Sequence, residues 1–391
     1  MASVSSSDKV VSSQSLMVET TAIGTLTYVL PLPTLPFDLI VEIMCRLPVK
    51  LLVQLRCLGK SFNYLISDPK FAKKHLRLSI KRHHLIVCPA DLSSRVILYD
   101  SPISSFFSKS GVTQTQLSYP KFQFENPTNI SSCDGILCLT IDDGSAILWN
   151  PSIRKLTKLP PFFVKGEKSF WYSAYSFGYD RFTDEYKVFV VSLLNYERKI
   201  EVSVHTLGTD YWRRIQDFPF KNAIRYSGIF VSDTVNWLTT DLSKSNCDEI
   251  VSLDLVNESY QILSSPDLNR ESWRLSMGVL RDCLCLSASS TCDMFFDVWV
   301  MKEYGNIDSW TKLYSVSYVG TQIPQAYALV LYISEDDQMV VDFIGQRQGS
   351  NKRMVTMYDS KNGTLNILDI QNINHFSFFT LVVYNESLIS P

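Results

Sequence analysis

The chain has 391 residues, 46% of them apolar, with 37 Lys and Arg against 39 Asp and Glu and a formal net charge of −2. Such an apolar share excludes disorder as the dominant state, and the length suggests two or three domains at about 150 residues each. The even charge balance leaves no cationic surplus for phosphates, so nucleic acid is not an expected partner, and 15 glycines, about half the usual share, argue against phosphate-cradling loops.

Residues 1–32 begin serine-rich and carry only Asp8, Lys9 and Glu19 as charges, which predicts a disordered tail. The apolar run Ala22–Leu32 is interrupted by Pro31 and is too short for a bilayer, which takes about 20 residues. No basic stretch leads into an apolar one, so neither secretion nor a membrane is expected.

From 33 to 77 the pattern is helical. Pro36 can open a helix where its missing N–H is not needed, and Asp38 and Glu42 suit the positive helix start. Leu39, Ile43, Met44 and Leu47 form one apolar stripe, which Pro48 ends. Leu51, Leu52, Leu55 and Leu58 share a face of a second helix. Leu65 and Ile66 continue the apolar set in a third, and Asp68-Pro69 reads as a stop. Three short helices give little core of their own, so some of these leucines are expected to meet a partner.

Residues 78–84 read as a linker, and 85–391 as strands. One phrase recurs, a turn acid followed by alternating apolar residues. Its acids are Asp134, Asp184, Asp233, Asp282 and Asp336, at gaps of 50, 49, 49 and 54 residues. Asp at a hairpin tip tolerates left-handed backbone, which explains the residue type. A strand–turn–strand phrase follows in each unit: Leu148–Leu156, Val204–Ile215, Leu253–Leu263, Val298–Leu313 and Met357–Leu368. The last contains Asn362-Gly363, a strong hairpin signal. A weaker unit precedes these, with Leu85–Val87, Asp91 and Val96–Asp100. The alternating run Phe379–Ile389 has no unit of its own and is expected to close the ring by pairing with the first blade. About four strands per unit predicts an all-β propeller of about six blades, with seven as the alternative.

Two stretches resemble a known family. Leu35-Pro36-x-Asp38-Leu39-Ile40-x-Glu42-Ile43, Arg46-Leu47-Pro48-Val49-Lys50, Arg56-Cys57, Lys60-Ser61-Phe62 and Leu65–Pro69 are similar to the plant F-box. Phe177–Asp180 with Tyr186-Lys187-Val188, Trp212–Ile215, Val235–Leu238 and Trp299–Tyr304 with Ser309-Trp310 resemble the plant F-box-associated domain, often labelled F-box/kelch-repeat. The Gly-Gly doublets of ordinary kelch blades are absent. The resemblance implies an α+β multidomain chain, a small three-helix F-box followed by the propeller. It implies a substrate-recognition subunit of an SCF-type ubiquitin ligase, whose F-box docks on the Skp-type adaptor of a cullin–RING complex while the propeller binds a target protein. Carried over by position, Leu35, Pro36, Ile43, Leu47, Pro48, Leu52, Leu55, Leu58 and Ile66 form the adaptor-binding or box-forming set.

The family carries Cys and Trp where this chain has Gly59 and Phe62. A glycine inside a helix costs about 1 kcal/mol relative to Ala, so weakened adaptor binding is expected. A degenerate box on a non-ligase interaction propeller is the alternative reading. For target contacts the candidates are Phe170, Trp171, Tyr172 and Tyr175, expected in an aromatic loop between blades.

No chemistry of its own is expected. Gly59-Lys60-Ser61 resembles the end of a phosphate loop, but Gln54 stands where its first glycine belongs. His83 and His84 are adjacent on a predicted strand and face opposite ways, while His75, His205 and His375 are isolated, so no metal or cofactor is expected. Nine cysteines without a C-x-x-C spacing read as buried free thiols of a reducing compartment, with Cys283 and Cys285 on one strand face. The expected location is the cytoplasm, the nucleus or both.

Overall fold

Prolines punctuate the helical region. The computed structural model describes residues 35–391 apart from 90–96, 109–110, 118–128, 142–144, 163–169, 195–199, 220–222, 225–226, 241–247, 269–272, 291, 322, 324–325, 348–349 and 371–378. The predicted tail, Asp91, Val96 and His375 lie outside the described residues. The chain divides into two compact units, Met1–Ile43 and Met44–Pro391.

Helix α1 (Phe37–Met44) starts on the Pro36 carbonyl, which accepts from the Leu39 and Ile40 N–H groups. In the second unit, α2 (Val49–Leu55) follows Pro48, a 3₁₀ turn spans Arg56–Leu58, and α3 spans Lys60–Ser67. Asp68-Pro69 ends α3 as predicted, but it also starts α4 (Pro69–Leu78), so the region has four α-helices where three were expected. Asp68 caps α4 by accepting from the Lys70 N–H at 3.0 Å, and Pro69 fills the first helical position. Val49, Leu52, Ile66, Phe71 and Ala72 are buried and form the small core of this region.

The strands follow in chain order. They are β1 (His83–Pro89), β2 (Leu98–Pro102) and, after the short α5 (Ile103–Phe106), β3 (Thr115–Leu117). Next come β4 (Asn129–Cys133), β5 (Ile136–Thr140), β6 (Ala146–Asn150) and β7 (Lys155–Lys158), then β8 (Phe170–Asp180), β9 (Glu185–Leu194), β10 (Ile200–Thr206) and β11 (Arg213–Arg214). β12 (Ala223–Ile224), β13 (Ile229–Val231), β14 (Thr234–Thr240), β15 (Asp248–Asp254) and β16 (Tyr260–Leu263) form the next group. β17 (Trp273–Leu280), β18 (Cys283–Ser290), β19 (Phe295–Met301) and β20 (Trp310–Ser317) precede β21 (Ala326–Ile333), β22 (Gln338–Arg347), β23 (Ser350–Asp359), β24 (Thr364–Ile367) and β25 (Phe379–Asn385).

They pair into six antiparallel sheets. Blade 1 has the order β25-β1-β2-β3, and blades 2 to 6 take β4–β7, β8–β11, β12–β16, β17–β20 and β21–β24. In blade 4 the innermost place is shared by β12 and β13, which both pair with β14. β25 runs along the whole of β1, from His83↔Asn385 to Pro89↔Phe379, as the alternating C-terminal run predicts, although the strand stops at Asn385. The innermost strands touch in the order β25, β4, β8, β13, β17, β21 and back to β25. The ring is closed and has six blades, the lower of the two predicted counts.

Apolar clusters fill the spaces between neighbouring blades. Phe296, Tyr318 and Phe343 pack between blades 5 and 6, with Cys285 in the same cluster and Cys283 against it, so the predicted cysteine pair is small apolar filling. Trp237, Phe189 and Phe218 pack between blades 3 and 4, and Trp149 with Ile86 between blades 1 and 2. Polar bridges seal the same junctions. The Tyr304 hydroxyl of blade 5 meets Thr234, Asn236 and Ser252 of blade 4 at 2.6–2.7 Å. Ser287 and Ser289 of blade 5 accept from the Val330 and Ala328 N–H groups of blade 6. After β25 the chain continues onto blade 2, where the Asn150 amide donates to Ser387 O, Ser387 Oγ and Ile389 O at 2.7–3.1 Å.

The repeated turn acids sit where predicted, at the tip of the first hairpin in blades 2 to 6. Asp134, Asp184, Asp233 and Asp282 have positive φ of 50–62°. In the last unit the left-handed residue is Asp337 (φ 59°), one position after the predicted marker Asp336. Asp134-Gly135, Ser232-Asp233 and Arg281-Asp282 are two-residue tips with both residues at positive φ, the turn whose twist suits a hairpin. Gly135 has a second reason to be glycine: a Cβ there would run into the Ser387 side chain and the Asn385 carbonyl. Each strand–turn–strand phrase is the outer hairpin of a blade. At Asn362-Gly363 the hairpin is present but its connection is four residues long, with only Gly363 at positive φ, because Asp359 draws Lys361 N–H and the Asn362 amide onto its carboxylate.

Candidate functional site

The helical region divides the predicted adaptor set into two kinds of residue. Leu35 (56% exposed), Pro36 and Ile43 (51%) lie open on or beside α1, and Leu58 (70%) is open in the 3₁₀ turn. Leu47, Pro48 and Leu55 are half-buried. Leu52 and Ile66 are fully buried, so of the two roles expected for the set they take the box-forming one. Periodicity alone groups Leu52 with Leu51 and Leu55, but only packing against α3 decides which leucine faces inward. Leu39 on α1, with Leu51 and Tyr64 in the second unit, are also exposed apolar residues that the predicted set leaves out.

Local bonds hold these elements. The Arg56 guanidinium donates to the Ile66 carbonyl at 3.3 Å and ties the 3₁₀ turn to α3. His75 is buried on α4, and its Nε2–H donates to the Leu47 carbonyl at 2.8 Å. Burial lowers the pKa of this imidazole despite that bond, so it is a neutral packing histidine. Gly59 is not inside a helix: it is the N-cap of α3, extended at φ 170° and ψ 164°, and a Cβ there would meet nothing within 4 Å. The helix-interior cost expected for it therefore does not apply. Phe62 is half-buried on α3.

The predicted target-binding aromatics do not form a loop between blades. Phe170, Trp171, Tyr172 and Tyr175 lie on β8, the innermost strand of blade 3, paired along its length with β9. Tyr175 is 4% exposed and sits edge-on to the Trp212 ring, so it is core. Its neighbours Ala174, Ser176 and Gly178 are small, which suits a strand crowded on both faces.

The motifs weighed for chemistry are structural. Gly59-Lys60-Ser61 opens a helix after a 3₁₀ turn rather than after a strand. His84 is bound to both Asp100 oxygens at 3.0 Å and lies 3.5 Å from Glu386, while the His83 ring packs 4.8 Å from Tyr332. Burial alone would lower the His84 pKa, but the two carboxylates outweigh it and push it up to about 9. His205 is buried and shares its Nε2 with the Thr209 carbonyl. Among the described residues, no group of three or more His, Cys, Asp or Glu is arranged to hold a metal ion, and no helix is long and apolar enough to cross a membrane. The eight described cysteines are free thiols. Burial pushes those of Cys88 and Cys138 up to about 12, which keeps them unreactive.

Comparison with known proteins agrees with this two-part layout. Residues 32–74 match the model of the F-box domain, and residues 91–391 match that of the F-box associated beta propeller domain. An F-box/kelch-repeat protein of Arabidopsis thaliana is 30% identical over 300 residues, covering 72% of this chain and 79% of the relative. The Arabidopsis thaliana F-box protein CPR1 is 29% identical over 338 residues, covering 79% of each. Among solved structures, a chain of a nidogen/laminin complex is similar at a TM-score of 0.44 and 10% identity, over 78% of this chain and 98% of that one. With a box of short helices ahead of a closed six-blade ring, and with both family models matched in that order, the chain belongs to the F-box proteins that carry an F-box associated β-propeller domain.

Proposed function

We propose that this protein is the substrate-recognition subunit of an SCF-type cullin–RING ubiquitin ligase. Its helical region docks on a Skp-type adaptor, and its propeller binds a target protein for ubiquitination. The transfer chemistry belongs to the partner enzymes, so the chain acts as a receptor without catalysing a step itself. The reading is supported above all by the apolar side chains left open in the helical region, Leu35, Ile43 and Leu58, in a chain that matches the F-box model. Exposed large apolar side chains are a liability unless another surface covers them, and helix-in-groove docking is the matching physics. Its place of action is the cytoplasm, the nucleus or both, which free thiols suit.

Binding of the purified full chain to a purified Skp-type adaptor tests this. The Leu58→Asp variant should keep its circular dichroism, because Leu58 packs little, yet bind about thirtyfold more weakly, the effect of losing about 2 kcal/mol at a hot spot. A wild-type chain that does not bind the adaptor overturns the reading.

A further inference from the structure

Every innermost strand runs the same way through the ring, so the first-hairpin tips gather on one face. The five turn acids there are held in two ways. Three are held by neighbouring blades: Asp134 accepts from Tyr186 at 2.9 Å, Asp233 pairs with Arg181 at 3.0 Å, and Asp337 pairs with Arg281 at 2.7 Å. The other two take a partner from outside the propeller, Asp184 in addition to the Tyr179 hydroxyl of its own blade. Asp184 of blade 3 is paired with Lys73 on α4, whose ammonium also lies 5.7 Å over the Tyr179 ring. Asp282 of blade 5 is paired with Lys81 at 2.8 Å.

The chain then enters blade 1. The Arg82 carbonyl accepts from the Glu386 N–H at 3.1 Å, and the His83 ring rests 4.8 Å from Tyr332 at the tip end of blade 6. In a six-membered ring blade 6 stands opposite blade 3. Between Lys73 at one tip and His83 at the other, the chain has only the second half of α4 and a short extended segment, so it has to cross the opening between the tips.

We propose that the second half of α4 and residues 79–83 form a cap across the tip-face mouth of the ring, with Lys73 and Lys81 as positioning residues that fix its direction. Each ion pair is exposed to salt and weak by itself. Two of them on tips separated by one blade oppose rotation of the cap about the ring axis, which a single pair cannot do. A cap there takes the tip-face mouth away from any partner. Its functional consequence, a fixed span between adaptor and target, rests on the receptor reading above; the cap itself does not.

Hydrogen–deuterium exchange of residues 74–83 in the full chain tests the proposal. The paired substitutions Lys73→Met and Lys81→Met should speed exchange of this segment about fivefold, while the blade strands stay protected. Asp184→Asn with Asp282→Asn, which keeps residues that tolerate positive φ, should have the same effect, and all four changes together should add nothing further. Salt should speed exchange of the wild-type segment and leave the variants unchanged. Unchanged protection in both pairs overturns the cap. Loss of adaptor binding with the lysine variants at wild-type exchange rates also overturns it, because the lysines would then face the adaptor. If the wild-type chain binds no adaptor, the receptor reading fails while the exchange result still decides the cap.

Discussion

Lys187 on β9 is a cation enclosed between two blades. Its ammonium donates to Asp180 at 2.6 Å and to the Leu255 carbonyl of blade 4 at 3.2 Å, and its side chain is only 9% exposed. Burial alone would raise the Asp180 pKa, but bonds from Lys187, Thr183 and the Phe182 N–H hold it below the ordinary carboxylate range. Removing one partner leaves a buried charge unmatched. Lys187→Met should therefore destabilise the chain by about 3–5 kcal/mol in urea unfolding, and a loss under about 1 kcal/mol would show that Asp180 finds another partner. At this scale the sequence reads unevenly. The turn acids are legible because left-handed backbone selects Asp at hairpin tips. Their partners are not, since Asp184 and Asp233 look alike in sequence while one is held by a helix and the other by a blade.

The connection between α2 and α3 carries a test of its own. Inside a helix Ala would suit position 59 best, but at an N-cap Ser is preferred over Ala by about 1 kcal/mol. Gly59→Ser should therefore be more stable than Gly59→Ala, by that order, in thermal or urea unfolding; the reverse ranking would put the residue back inside a helix. The motif Lys60-Ser61-Phe62 gave no hint of this, because the 3₁₀ turn at Arg56–Leu58 breaks a leucine spacing that would continue as helix. Asp68-Pro69 misled for a related reason: the residues that stop one helix are also those that best start the next. Strand β8 was hidden by its aromatics, whose crowding resembles a binding loop, although Ala174, Ser176 and Gly178 alternate with them at the period of a strand. The outer hairpins were legible throughout, since each is local and ends in turn residues.

For the whole ring, the closing blade joins the two ends of the propeller chain. His84 on β1 joins Asp100 on β2 and Glu386 just after β25, and the Tyr384 hydroxyl donates to Asp100 at 3.3 Å. Since the folded pKa of His84, about 9, exceeds the unfolded value near 6.5, the proton is bound more tightly in the folded state. This contribution, on the order of 3 kcal/mol, is full below pH 6.5 and is lost as the pH rises through about 9. Unfolding measured from pH 6 to 10 should show that decline, and His84→Gln should flatten it; an equal slope in both chains would remove His84 from ring closure. The blade count was legible from the spacing of the repeat, and the closure from one leftover strand. The same closure sets a timetable. β25 follows all the other strands in the chain, so during synthesis β1 waits with an open edge until blades 2 to 6 have left the ribosome. Any chain cut short before Phe379 would keep that edge unpaired, ready to take a strand from a neighbour and aggregate, however well its other five blades fold.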